Sequence, residues 1–164
     1  MQLSIKNILY STDLSRNAPI AFGYAVYLAK LTGADIHILH VLERLSDDAA
    51  FAIQVYVQDD KKRHDMLDLR IERAQKLLDE KQDKFWAKQS EEDKKVRSQI
   101  KSVLVCESHP VDEILKASKA HDCDLIVMGS HEHGLSHSFL GSVAKGVLHR
   151  SHVPTLIVPL AETD

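Results

Sequence analysis

The sequence predicts an α/β protein built on an open, doubly wound, five-stranded parallel sheet in the common order 3-2-1-4-5, with helices on both faces. Three observations predict it. Short β-prone runs alternate with stretches whose apolar residues recur every three or four positions. Strands alternating with helices of about ten or more residues form parallel sheets through right-handed crossovers. The fourth run, "CDLIVMG", is apolar almost without a break, as expected for a strand covered on both faces. No linker, repeat or low-complexity segment divides the chain. Its 164 residues therefore read as one domain, 1–164, long enough to bury a proper core.

The elements follow in order. "IKNILY", Ile5 to Tyr10, is the first strand and stops at the turn-forming "STDLS". From Pro19 the period changes: Ile20, Tyr24, Leu28 and Leu31 fall on one helical face. Ser15 or Asn17 can cap that helix, Pro19 suits its first turn and Gly33 its stop. "ADIHILHVLE" gives the second strand, from about Asp35 to Leu42, in which His37 and His40 read as satisfied core-edge residues.

The next sixty or so residues are the least regular part of the sequence. "DDKKRHDMLDLRIERAQKLLDEKQDKFWAKQ" is a long amphipathic helix with Leu67, Ile71, Ala74, Leu78 and Phe85 on its inner face. Charges of alternating sign on its outer face look like a solvated surface; the charged segment runs from about 59 to 97. Residues 90 to 99 read as a charged connection, and "IKSVLVCE" is the third strand. "HPVDEILKASKAH" restarts a helix, with Pro110 in its first turn and Asp112 and Glu113 placed well against its dipole. After the fourth strand, "SVAKGVLHRS" is a short helix and "VPTLIVP" the fifth strand.

Composition narrows the function. A net charge of −3 and the lack of a basic stripe give no electrostatic reason to expect nucleic acid. No apolar run approaches the roughly 20 residues that cross a bilayer, and the N-terminal stretch lacks a signal peptide's apolar segment. A cytoplasmic protein with no membrane contact is expected. Cys106 and Cys123 form no CxxC and read as buried thiols kept reduced.

In a sheet of this order, ligands bind outside the strand ends where strand order reverses. That brings "YSTDLS", after strand one, beside "MGSHEHG", after strand four. Asp13 and Gly129 then become neighbours. Gly141-Ser142 directly precedes a predicted helix, whose unpaired N–H groups and positive dipole end suit a phosphate. No GxxxxGK[ST] occurs, so a P-loop is not expected. His131 and His133 could chelate a metal, with Glu132 or His137 completing the set, yet structural zinc usually includes cysteine. Cys123 lies before the strand, so a polar loop and no metal site is the preferred reading. Asp13 has no nucleophile or base partner in sequence and no Ser/His/Asp arrangement is evident. No enzyme is expected.

"DLIVMGSHEHGLSHSFLGSVAKGVLHRSHVPTLIVP", together with "ILYSTDLS" and "HILHVLE", closely resembles the universal stress protein family over essentially the whole chain. The resemblance implies a cytoplasmic, commonly dimeric protein of the adenine nucleotide alpha hydrolase-like fold. One branch of the family binds ATP through G-x2-G-x9-G-S/T. By position, Asp13 would contact ribose or adenine, flanked by Ser11 and Thr12, and Val41 would meet adenine through its backbone. Met128, Gly129, Ser130 and His131 would open the phosphate loop. Gly141, Ser142, Val143 and Ala144 would hold the phosphates. The implied ligand is ATP, or ADP or AMP, alone or with Mg or Mn. Two departures stand out: Glu132 replaces the pattern's second glycine, and the loop from Gly129 to Gly141 is one residue shorter. The alternative they favour is a nucleotide-free dimeric interaction module, as in the branch lacking the glycines. Finally, Pro154 and Pro159 bracket "TLIV"; prolines suit an edge strand. An apolar edge is an aggregation hazard, which pairing of residues 153–159 with a second copy would remove, in agreement with the family's mode of dimerisation.

Overall fold

The structure is a computed structural model that describes residues 3–130 and 140–160. Its elements are β1 (Asn7–Ser11), α1 (Ala18–Thr32), β2 (Asp35–Glu43), α2 (Asp47–Tyr56), α3 (Asp60–Ala87), α4 (Glu91–Lys94), a 3-10 turn (Lys95–Gln99), β3 (Ile100–Ser108), α5 (Pro110–Ala120), β4 (Leu125–Gly129), α6 (Ser142–Arg150) and β5 (Thr155–Val158). The sheet has the order β3-β2-β1-β4-β5, and every pairing in it is parallel. Ser11 is in register with Leu39 on one side and Met128 on the other. The carboxyl ends of β1, β2 and β4 therefore lie side by side.

Alternation along the strands builds two cores. Ile8, Tyr10, Ile36, Ile38 and Val127 face α1 and α3, where Phe22, Ala25, Leu78 and Trp86 meet them. Leu9, Leu39, Ile126 and Met128 face the opposite way, onto Ile114 and Ala117 of α5 and Ala144 and Val147 of α6. Phe22 is the hub of the first layer, with ring centroids 5.0 Å from Tyr10, 4.6 Å from Phe85 and 5.8 Å from Trp86.

Helix α1 corrects the sequence reading. Ile20, Tyr24 and Leu31 are 43%, 51% and 64% exposed, and Leu28 is half-buried. The buried face is Ala18, Ala21, Phe22, Ala25, Val26 and Ala29. Four alanines share that face with Phe22 and Val26, so the inner stripe is offset from the one that Ile20, Tyr24, Leu28 and Leu31 mark. The stop at Gly33 is as expected: its φ is 75° and its N–H donates to Ala29 O. Asn17 is the N-cap residue, though its side chain makes no capping bond.

Two further differences concern the middle of the chain. Helix α2 lies in the stretch with the least regular sequence pattern, and it buries none of its residues. Ser46 caps it by accepting from Ala49 N. Residues 90–99 are not an open connection. Ser90 caps the single turn of α4, and Val96 of the following 3-10 turn is buried. Of the expected inner face of α3, Ala74 and Leu78 are buried and Phe85 packs at the core's edge, while Trp86 is buried as well.

Both strand-two histidines are engaged. His37 Nδ1 lies 2.7 Å from Ser102 Oγ, and its ring stacks on His121 at 4.0 Å. His121 is half-buried. Burial, then the charge His121 can carry, holds His37 below the ordinary histidine value of 6.5. The unfolded chain therefore takes up this proton before the folded one does. The associated stability is intact above that ordinary value and is lost as pH falls below it. His37→Asn is expected to flatten part of the decline in urea midpoint between about pH 7.5 and about pH 5.5. An unchanged decline would show that His37 does not carry it. Cys123 is buried and Cys106 is half-buried, and both are free.

Candidate functional site

At the reversal of strand order, the loop after β1 turns sharply. Leu14 has a φ of 59°, and two side chains hold the turn. Thr12 Oγ1 accepts from Leu14 N at 3.1 Å, and Asp13 Oδ1 accepts from Ser15 N at 2.9 Å. Thr12 N continues the ladder to Leu39 O at 2.9 Å. The Thr12 carbonyl lies 2.7 Å from His40 Nδ1; because a carbonyl can only accept, Nδ1 carries the proton. These bonds fix the acid-bearing loop against the end of β2.

Opposite this loop stands the start of α6. Gly141 is its N-cap, with φ −67° and ψ 167°, no side chain caps it, and its first turn holds no acid. Among the described residues no side chain takes the opening amides, and the positive dipole end stands behind them. α6 is seated close to α5: a Cβ at Gly146 would lie 2.7 Å from Val111 Cγ2. Arg150 adds a 2.7 Å bond to Asp112.

Between the two lies a cavity of about 290 Å³, near the lower end of the roughly 300–1,000 Å³ usual for ligand pockets. Ser11, Thr12, Asp13, Val41, Met128, Gly129, Ser142, Val143 and Ala144 all line it. Sequence positions more than a hundred residues apart are thereby brought to one place. No lysine or arginine lines it, so the helix start is its electropositive feature among the described residues. Asp13 and Glu43 make the β1–β2 end acidic. An anion is directed to the α6 end and hydrogen-bond donors to the other.

Two expected site residues do not themselves line the cavity, and a third lies outside the described residues. Ser130 does not line the cavity. It is buried, donates from N to Val158 O at 2.8 Å, and its Oγ accepts from Leu160 N at 3.0 Å. Gly141 sits at the rim, as the cap, and is not itself among the lining residues. His131 lies outside the described residues, as do Glu132, His133 and His137.

Residues 4–159 match the universal stress protein family. The chain belongs to that family. It is 30% identical to universal stress protein MJ0577 of Methanocaldococcus jannaschii over 162 residues, 96% of this chain and 97% of that protein. The solved MJ0577 structure superposes with a TM-score of 0.63 at 26% identity, covering 98% of this chain and all of that one. UspA from Lactobacillus plantarum shares the fold at a TM-score of 0.69 and 20% identity, covering 96% and 99% of the two chains. A universal stress protein solved in complex with cAMP does so at 0.61 and 19%, covering 97% and 100%.

On this universal stress protein scaffold, the cavity has walls the sequence reading passed over. His40 and Glu43 stand at the carboxyl end of β2, and Tyr10, Ala18, Ala21, Pro110, Ile114 and Leu160 complete the lining. The switch-point rule covers every strand end beside the reversal, so it could have supplied His40 and Glu43. Leu160 had no such signal. It packs over Gly129, where a Cβ would come within 2.9 Å of Leu160 Cγ. The glycine is needed there for the leucine, whatever else it serves. No helix is long and apolar enough to cross a membrane among the described residues, and no group of three or more His, Cys, Asp or Glu side chains among them could hold a metal ion.

Proposed function

We propose that this universal stress protein binds an adenine nucleotide in the crevice between β1 and β4 and acts as a ligand-dependent regulator. A single observation carries the reading: the Asp13 loop and the uncapped start of α6 face one cavity with opposite polarity. The nucleoside would lie toward Asp13 and the Val41 backbone, and the phosphates would take the amides of Ser142, Val143 and Ala144. A divalent ion, Mg or Mn, would ride on the phosphates. Catalysis forms no part of the proposal.

The same proposal takes 1–164 as one cytoplasmic domain acting as a dimer. β5 supports the dimer, because among the described residues it is an edge strand paired with β4 alone. Pairing of residues 153–159 across a two-fold axis would complete the sheet. The competing reading, a nucleotide-free dimeric module, draws on Ser130 and Leu160 being bound to each other.

Native mass spectrometry of freshly purified chain separates the two readings: co-purifying adenine nucleotide is the expected mass. Thermal unfolding with ATP, AMP and cAMP then tests the site. Asp13→Ala removes a charged hydrogen-bond acceptor of about 1.5–3 kcal/mol. Affinity is expected to fall roughly tenfold to a hundredfold. Equal nucleotide-induced shifts in the variant and the parent chain would exclude Asp13 from the site.

A further inference from the structure

A second concave site lies between α2 and α3, beside the end of β2. It encloses about 440 Å³, inside the roughly 300–1,000 Å³ range of small-molecule pockets. Its walls are of two kinds. Leu45, Ile53, Leu67 and Leu69 give an apolar trough, and Arg63, Arg70 and Arg73 bring three guanidinium groups to it. No aspartate or glutamate lines it. The two kinds of wall come from the spacing on α3: positions 63, 66, 67, 70 and 73 fall on one stripe of the helix, and that stripe faces α2.

The arginines differ in what holds them. Arg63 pairs with Asp60 and donates to Val57 O at 2.6 Å. Arg70 donates to Glu107 Oε2 at 2.7 Å and to Glu43 O at 3.1 Å, which fixes its plane. Arg73 is exposed, and no ion pair or hydrogen bond holds it among the described residues. A guanidinium that no carboxylate neutralises, at the mouth of an acid-free apolar trough, is complementary to one acidic head on an apolar body. α2 fits that use. It buries nothing in either core, so the apolar side chains it turns toward α3 serve the trough and not the fold.

We propose that the α2–α3 trough binds a small anionic amphiphile, an alkyl or aryl chain bearing one carboxylate or phosphate, with the chain on Ile53, Leu67 and Leu69 and the head on Arg73 and Arg70. The trough shares no lining residue with the nucleotide cavity. Arg70 and Arg73 also border a surface hollow with Asp13, His40 and Glu43, so the two sites adjoin at the end of β2 and are told apart by their own variants.

Isothermal titration of the full chain with monomeric decanoate is the test, with decanol and decyltrimethylammonium as head-group controls. The expected result is saturable one-to-one binding of decanoate, about tenfold weaker binding of decanol, and none of the cation. Arg73→Glu, at an exposed side chain whose loss leaves the fold intact, is expected to weaken decanoate at least tenfold. Leu69→Glu weakens it through the wall, and Asp13→Ala leaves it unchanged. Equal affinity for decanoate and decanol overturns the proposal, as does undiminished binding by Arg73→Glu. So does loss of binding in Asp13→Ala, which would place decanoate in the nucleotide cavity. Absence of decanoate binding together with a change of oligomeric state in Arg73→Glu would make the trough a contact between copies, and that too overturns it.

Discussion

Gly141→Glu is expected to abolish nucleotide-induced thermal stabilisation while leaving the free protein folded. The backbone at Gly141 has φ −67° and ψ 167°, a region open to any L-residue, so the substitution costs little there. A glutamate at a helix start also gains from the dipole. The same geometry makes it a competitor for the ligand, because its carboxylate reaches the amides of the first turn of α6. A carboxylate about 4 Å from a phosphate oxygen costs about 4 kcal/mol at an effective dielectric near 20, which is roughly a thousandfold in affinity. The free variant should melt within a few degrees of the parent, yet ATP added at a hundred times the parent's Kd, worth about 2.7 kcal/mol there, should no longer raise its melting temperature. A full shift in the variant would place the phosphates somewhere other than the start of α6.

The largest expected effect on stability is that of Phe22→Ala. Phe22 is 1% exposed and touches three aromatic rings at once, two of them edge-on. Removing a buried phenyl ring costs about 3–5 kcal/mol, because the neighbours close the cavity only in part. The ring pairs add about 0.5–1.5 kcal/mol each beyond buried area, so the upper half of that range is expected. At roughly 2–4 °C per kcal/mol for a chain of this size, the melting temperature should drop by about 8–20 °C. Trp86, the single tryptophan, lies in the same cluster and reports urea unfolding by its fluorescence. A loss below about 2 kcal/mol would mean that α1 re-seats on the sheet after truncation. Phe22→Leu should lose less than Phe22→Ala.

Much of this fold was legible because turn chemistry and period agree along the chain. Gly33 ends α1 in the left-handed conformation, and Pro110 opens α5. The unbroken run Leu125–Gly129 is a central strand between β1 and β5. The meeting of Asp13 with Ser142 was legible too, since strand order alone puts those loops together. The failures share one cause: pattern reading ranks residues by size and hydropathy, and packing does not. On α1 four alanines went inside with Phe22 and Val26, and Tyr24 and Leu31, on the neighbouring stripe, were left in water. α2 escaped notice because it has no buried stripe to give it a period. The role of Leu160 depends on a contact with Gly129, and no local pattern encodes a contact of that kind.

The close seating of Gly146 against Val111, with Arg150 tied to Asp112, has a thermodynamic consequence. The Val111 side chain sits directly on the α6 backbone at Gly146, which leaves the two helices little freedom to slide, so the amides at the head of α6 are held in place before any guest arrives. Preorganised donors lose little entropy on complex formation. The ordering penalty then falls on other parts of the crevice, and calorimetry should assign the α6 contacts an enthalpic gain largely uncompensated by entropy.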